Sequence, residues 1–241
     1  MDTFEGGRST PLTSISAFTG ILLKNRDKNL TERNVDQLQV MRRNAAQLKT
    51  LLGNLLELSD MHNDSYELSY GRFNLRSSLE EVTDAFMPAI LKKDQYFNLN
   101  IDAADAIVEA DDTRVRQVVS NVLTNAIMYS PEHANIKVSA WVTDLLFTVT
   151  VSDDGIGIKD RDKEELFTVF FRADNESTRA VSGTGIGLVT AKQIVELHGG
   201  ELTLTSNEGE GTAVHISMPR FRTRHTYNRN DGAGNGEDRA A

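Results

Sequence analysis

Leu38, Met41, Ala45, Leu48, Leu52 and Leu55 step by 3, 4, 3, 4 and 3 residues, and this rhythm constrains the chain more than any other feature. Apolar residues repeating about every 3.5 positions form one stripe along a long α-helix, and such a seam has to be covered. Upstream, Leu12, Ile15, Phe18, Ile21 and Leu22 recur at helical spacing between Pro11 and Asn25, with Pro11 tolerated in a first turn. The polar stretch Asp27 to Leu30 separates the two segments, and Thr31 suits an N-cap. Two helices joined by so short a turn make an antiparallel hairpin. Its apolar surface needs a further partner, either a second copy that completes a dimeric four-helix bundle or the chain's own downstream domain.

Beyond Met61 the texture changes. Asn63, Asp64 and Ser65 mark a boundary, after which helical and alternating segments follow one another as in an α/β domain. Leu75, Leu79, Val82, Phe86 and Ile90 predict a helix, Phe97, Leu99 and Ile101 a strand, and Thr113 to Tyr129 a second helix. Strands at Ile136 with Val138 and at Phe147, Val149 and Val151 come next, then a helix from about Gly187 to His198. Strands at Leu202 to Thr205 and Thr212 to Met218 complete the pattern. The expected class is α+β: a helical hairpin over residues 1–66, an α/β sandwich over 67–220, and a disordered tail over 221–241, where apolar periodicity is lost.

Composition removes several function classes. A net charge of −9 argues against the basic face that nucleic acid requires. Cysteine is absent, which excludes disulfides, thiolate metal sites and a Cys nucleophile and agrees with a reducing, cytoplasmic setting. No run approaches the roughly 20 apolar residues that span a bilayer, and Met1 to Thr10 lacks the apolar block of a signal peptide. The expectation is a soluble chain without membrane insertion.

Three segments can carry chemistry. In the helix ending at Tyr129, Val115, Val118, Val119, Val122 and Ala126 form an apolar stripe, while Gln117, Asn121, Asn125 and Met128 fall on another face. Asn is a mediocre helix former, so two in mid-helix point either to a solvated face or to a ligand. Amide oxygens are hard neutral donors suited to Mg²⁺, and amide N–H groups reach phosphate. Asp153-Asp154-Gly155-Ile156-Gly157-Ile158 follows an apolar strand; it reads as a strand-end turn or as a carboxylate facing a purine amine with glycines that admit close approach. Gly183-Thr184-Gly185-Ile186-Gly187-Leu188 opens a helix, which places free N–H groups at a positive helix end. No Lys-Ser/Thr follows Gly187, so this is not a Walker loop.

In this order and spacing, the asparagine helix, Asp153-x-Gly155-x-Gly157, Leu166-Phe167-Thr168-Val169-Phe170-Phe171-Arg172 and Gly183-x-Gly185-x-Gly187-Leu188 resemble the N, G1, F and G2 boxes of the histidine-kinase ATPase domain. The resemblance covers residues 70 to 220. It implies ATP and Mg²⁺ as cofactors, Asn125 as leading Mg²⁺ ligand with Asn121 beside it, and Asp153 as the reader of adenine. Tyr129, Gly155, Gly157, Ile158, Phe170, Gly183, Thr184, Gly185, Gly187 and Leu188 would complete the nucleotide site, Arg172 would approach the γ-phosphate, and a lid would run from Arg161 to Ser182. Met128 stands where this family often has a basic residue. His198, at the Gly199-Gly200 helix stop, is expected to be structural.

The hairpin resembles the dimerisation and phosphoacceptor domain of sensor histidine kinases, with Ser9-Thr10-Pro11-Leu12 matching the end of its H-box. Thr10 would assist dephosphorylation of a partner aspartate. Counting back from Pro11, the histidine position is Gly6 and its acidic neighbour Gly7. The implied function is two-component signalling through a homodimer, or a heterodimer with a histidine kinase, and a response regulator receiver domain. Phosphoryl transfer would act in trans, or the chain would be a pseudokinase scaffold. A protein serine kinase of the same ATPase superfamily fits less well with Thr10-Pro11-Leu12.

Overall fold

The computed structural model describes residues 10–24, 29–61, 63, 66–102, 106–172 and 184–221. Residues 222–241 of the expected tail and the glycines at 6, 7 and 183 lie outside them.

Helices α1 (Thr10–Leu23) and α2 (Glu32–Met61) form the hairpin. At the start of α2, Thr31 accepts the Asn34 N–H through Oγ1 at 3.3 Å, the N-cap expected of it. The seam is only partly closed within the chain. Ala45 is buried, whereas Met41, Leu48 and Leu55 on α2 and Ile15, Phe18, Ile21 and Leu22 on α1 remain exposed. At about 100° per residue, Thr50, Asn54, Glu57 and Met61 lie on the side of α2 opposite the seam, and that side packs against the second domain: Met61 belongs to its core cluster, and Glu57 bonds to its helix α4. Both expected ways of covering the hairpin therefore have a face of α2 to themselves.

The second domain runs β1 (Gly71–Asn74), α3 (Leu75–Lys92), β2 (Tyr96–Asp102), β3 (Ile107–Ala110), α4 (Asp112–Tyr129), β4 (Asn135–Val142) and β5 (Leu146–Asp153). After the short helix α5 (Asp160–Lys163) and a 3₁₀ turn at Glu165–Phe167 come α6 (Gly187–Leu197), β6 (Glu201–Asn207) and β7 (Gly211–Pro219). The main sheet has the order β2-β4-β5-β7-β6, with β2 parallel to β4 and the other pairs antiparallel. Val138, Phe147, Val149, Ile216 and Met218 point from its inner face into a core shared with Leu75, Leu79, Val118, Val119, Leu123, Ile194 and Val195 of the helices. Each such side chain contributes about 1.5–3 kcal/mol on burial. The opposite face carries the alternating polar residues of a sheet with helices on one side only. Strands β1 and β3, which pair with one another, escaped the sequence reading because four residues are too few to establish a period.

Helix α4 is fastened at both ends. Asp111 caps its start, accepting the Arg114 N–H at 3.1 Å. At its other end Lys93 Nζ donates to the carbonyls of Ile127 (2.8 Å), Met128 (3.3 Å) and Ser130 (2.8 Å). Gln95 Nε2 donates to Ile127, Ser130 and Pro131. Carbonyls orphaned at a helix end are thus met by a cation and an amide, which also suits the helix dipole. Helix α6 ends where Gly199 takes φ 72° and Gly200 N–H returns to Val195 O at 2.9 Å. His198 is buried there, as expected of a structural residue. Its Nε2 accepts the Asp111 N–H at 3.1 Å, and Nδ1 lies 2.8 Å from Ile194 O. Desolvation pushes its pKa down, in keeping with a neutral ring that donates from Nδ1.

Replacing Lys93 by Met takes one donor from the carbonyls of Ile127 and Ser130, which keep Gln95, and leaves that of Met128 without a side-chain donor. Urea denaturation of Lys93→Met is expected to show a loss of about 1–3 kcal/mol; unchanged stability would mean that Lys93 is dispensable to the helix end.

Candidate functional site

A cavity of about 360 Å³ opens between α4, the ends of β5 and β7, the start of α6 and the near face of α2. Its wall includes Asn121, Asn125, Tyr129, Asp153, Gly157, Ile158, Arg172, Thr184, Gly185, Gly187 and Leu188, so residues expected from four separated segments meet around one space. Gly155 backs the wall. A Cβ on it would fall 2.5 Å from Asp153 Oδ1 and 2.8 Å from Tyr129 O, so only glycine lets the chain pass behind the carboxylate. Gly157 adopts φ 64°, and a Cβ there would meet Asn207 O at 1.8 Å, which fixes the turn against β6. Phe171 lines the cavity and Phe170 does not. Phe170 takes φ 68° and is 58% exposed: this left-handed residue turns the chain, so its own ring faces outward. Thr10 opens α1, and its side chain lies outside the described residues. Of the expected lid, residues 161–172 are described and 173–183 are not.

Asp153 ends β5 on the wall of the cavity, half-buried. Burial raises its pKa to about 6; the Gly155 N–H at 2.8 Å, the nearby Ser130 hydroxyl and the Thr212 N–H oppose the rise, and Asp154 adds to it. A carboxylate held at such cost and lined by Ile156, Val151 and Val214 is an acceptor for a flat, apolar group bearing an N–H.

Asn121 and Asn125 project from α4 toward the start of α6. Asn121 Nδ2 donates to Gly187 O at 3.1 Å, which ties the glycine loop to α4 and leaves its amide oxygen for a ligand. Asn125 has no hydrogen-bond partner among the described residues. No cluster of three His, Asp or Glu side chains suited to a metal occurs among the described residues. The oxygen donors present therefore fit a Mg²⁺ that arrives with phosphate oxygens and keeps several waters, with the amides supplying only part of its shell. Arg172 supplies the guanidinium on the cavity wall, and Met128 is indeed apolar there.

Sequence reasoning missed Thr212 and Val214 of β7 and, more notably, Thr50 and Asn54 of the hairpin. The β7 pair sits opposite Asp153 and Val151 in the sheet register, a non-local fact. The α2 pair lay on the polar side of a helix whose apolar stripe attracted attention, though a polar stripe at spacings 50, 54 and 57 was a usable signal.

Residues 110–222 match the family described as histidine kinase-, DNA gyrase B- and HSP90-like ATPase, and residues 9–64 match the His Kinase A (phospho-acceptor) domain. The sensor histidine kinase WalK of Bacillus subtilis is 31% identical over 216 residues, 87% of this chain and 34% of that protein. The sensor protein GacS of Pseudomonas syringae pv. syringae is 32% identical over 215 residues, 87% of this chain and 23% of that protein. The chain thus spans about a third of one relative and about a quarter of the other. Among solved structures, the catalytic domain of histidine kinase ThkA superposes with TM-score 0.57 at 30% identity, covering 64% of this chain and 99% of that one. ThkA in complex with the response regulator TrrA gives TM-score 0.65 at 26% identity, covering 88% and 59%. With both family models matched in order and the ThkA catalytic domain 30% identical over 99% of its length, the chain belongs to the sensor histidine kinases, of which it carries the phospho-acceptor-type hairpin and the ATPase domain.

Proposed function

We propose that this chain is an Mg²⁺·ATP-binding core of two-component signalling, built as a hairpin over 1–66 and an ATPase domain over 67–220, that passes phosphate to a histidine on a partner. The observation that carries the reading is Asp153, a half-buried carboxylate lining a cavity whose wall also holds two mid-helix asparagines and a glycine-opened helix. Adenine offers an exocyclic amine to Asp153, its ring enters between Ile156 and Val214, and the phosphates reach Asn121, Asn125 and the N–H groups at the start of α6. Bound Mg²⁺ neutralises phosphate charge, and the protein's part is to position and to stabilise.

The acceptor follows from Gly6 and Gly7, which offer no imidazole and no carboxylate where the family's phosphorylated histidine and its neighbour stand. Transfer then requires a partner hairpin. The exposed Met41, Leu48 and Leu55 stripe beside Phe18 and Ile21 suits a second hairpin, from another copy or from a histidine kinase. A response regulator receiver domain is the natural downstream partner, as in the ThkA complex with TrrA. No helix among the described residues is long and apolar enough to cross a membrane.

Asp153→Asn is expected to weaken ATP binding about a hundredfold in calorimetry while raising the stability of the empty protein. The sign follows from linkage. A folded-state pKa of about 6, above the ordinary carboxylate value, means that stability falls as pH rises from about 4 through 6, so at pH 7.5 the charge costs up to about 3 kcal/mol. Wild-type affinity should likewise drop as pH falls through about 6. A variant that binds ATP normally would remove Asp153 from the site.

In sedimentation the full chain should behave as a dimer, and Leu48→Glu with Leu55→Glu as a monomer, because charges cannot be desolvated in the seam; a wild-type monomer at high micromolar concentration would overturn the seam's role.

Incubated alone with ATP, the chain should acquire no acid-labile phosphate. Mixed with a hairpin fragment that carries an intact H-box, it should label the fragment, and Asp153→Asn should abolish that label. Nucleotide binding without label in several such mixtures would replace the transferase reading by a pseudokinase scaffold, and acid-labile label on this chain alone would overturn the reading of Gly6.

A further inference from the structure

The polar stripes of α2 and α4 face each other. On α4, Arg114, Gln117, Asn121 and Asn125 share one side, and on α2, Thr50, Asn54 and Glu57 share another. At the base of the pair Arg114 forms an ion pair with Glu57 and donates to Gln117 Oε1 at 2.8 Å, while Gln117 Nε2 donates to Glu57 Oε2 at 2.8 Å. Tyr66 lies under the Arg114 guanidinium, 5.6 Å from ring centroid to Cζ. Both charged side chains are about three-quarters buried, at 26% and 22% exposure, so this clasp is less screened than a surface pair. It sets the register of the two helices.

From Glu57, Asn54 is about one helical turn further along and Thr50 about two, running toward Asn121 and the start of α6. Both line the same cavity as Asn121, Asn125, Arg172, Thr184 and Gly187. Thr50 Oγ1 is engaged with Ala46 O at 3.1 Å. The Asn54 amide is half-buried and has no hydrogen-bond partner among the described residues. Asp153 lies at the other end of the space, among Ile156, Thr212 and Val214.

We infer that Asn54 of the hairpin is a binding residue for the terminal phosphate of a nucleoside triphosphate, held in place by the Glu57–Arg114–Gln117 clasp. The inference rests on the nucleotide reading above and deepens it: the ATPase domain supplies the purine end of the site, and the hairpin supplies part of the triphosphate end. The Asn54 NH₂ donates to a phosphate oxygen that a diphosphate lacks. Asn54 therefore discriminates triphosphate from diphosphate, and nucleotide state is coupled to docking of the hairpin through one side chain.

The test is calorimetry on the full chain with Mg²⁺ and either a non-hydrolysable ATP analogue or ADP. Asn54→Ala, which favours the helix, should weaken triphosphate binding about tenfold and leave ADP affinity within about twofold. Glu57→Gln, which loosens the clasp without entering the cavity, should reduce the triphosphate-to-diphosphate ratio in the same direction, and Asn54→Gln should restore part of the preference. Equal losses for both nucleotides, or an unchanged ratio in Asn54→Ala, would overturn the assignment while leaving Asp153 as the purine site. Failure of the wild-type protein to bind either nucleotide would instead remove the nucleotide reading and this inference with it.

Discussion

The position of α4 governs the second domain, and that position depends on how its C-terminal carbonyls are met. Lys93 and Gln95, just beyond α3, together take up the carbonyls of Ile127, Met128, Ser130 and Pro131. A buried helix end with free carbonyls is costly, so the join fixes α4 along its axis while Val115, Val118, Val119, Val122 and Leu123 fix its rotation against the sheet. Once both are set, Asn121 and Asn125 face the cavity and Arg114 and Gln117 face α2. One helix thereby holds the core on one sector of its surface and both the candidate ligands and the contact to the hairpin on another.

Much of this was legible in the sequence. The period-3.6 stripes gave α3, α4 and α6 to within a residue or two, and Thr31 marked the start of α2 because a short hydroxyl side chain at that place has few other uses. The site was readable where function forces unusual residues into regular elements: two asparagines in mid-helix, an aspartate at the end of an apolar strand, glycines where a Cβ would strike backbone. What stayed hidden was set by long-range pairing. Thr212 reaches Asp153 only through the β5–β7 register, and β1 finds β3 across α3 and β2. Phe170 and Phe171 could not be told apart because a positive φ at a bulky residue has no sequence signal.

The cost of Asp153 has a counterpart elsewhere in the domain. His198 is buried and kept neutral, fully bonded between Asp111 and Ile194, and it contributes to structure. Asp153 is half-buried and raised toward neutrality, and it lines an open cavity. Two titratable groups whose pKa values are shifted by desolvation thus differ in whether the protein itself completes their bonding, and this distinguishes a fastening from a waiting site.

The opposed stripes of α2 bear on how such a chain changes over generations. The seam residues Met41, Leu48 and Leu55 and the docking residues Asn54, Glu57 and Met61 share thirty helical positions yet lie on opposite sides of one rod. A substitution in one stripe leaves the other undisturbed, since distant sites without shared contacts act additively. The choice of pairing partner and the grip on the second domain are therefore separately heritable traits of a single helix, free to drift at different rates within one short stretch of gene.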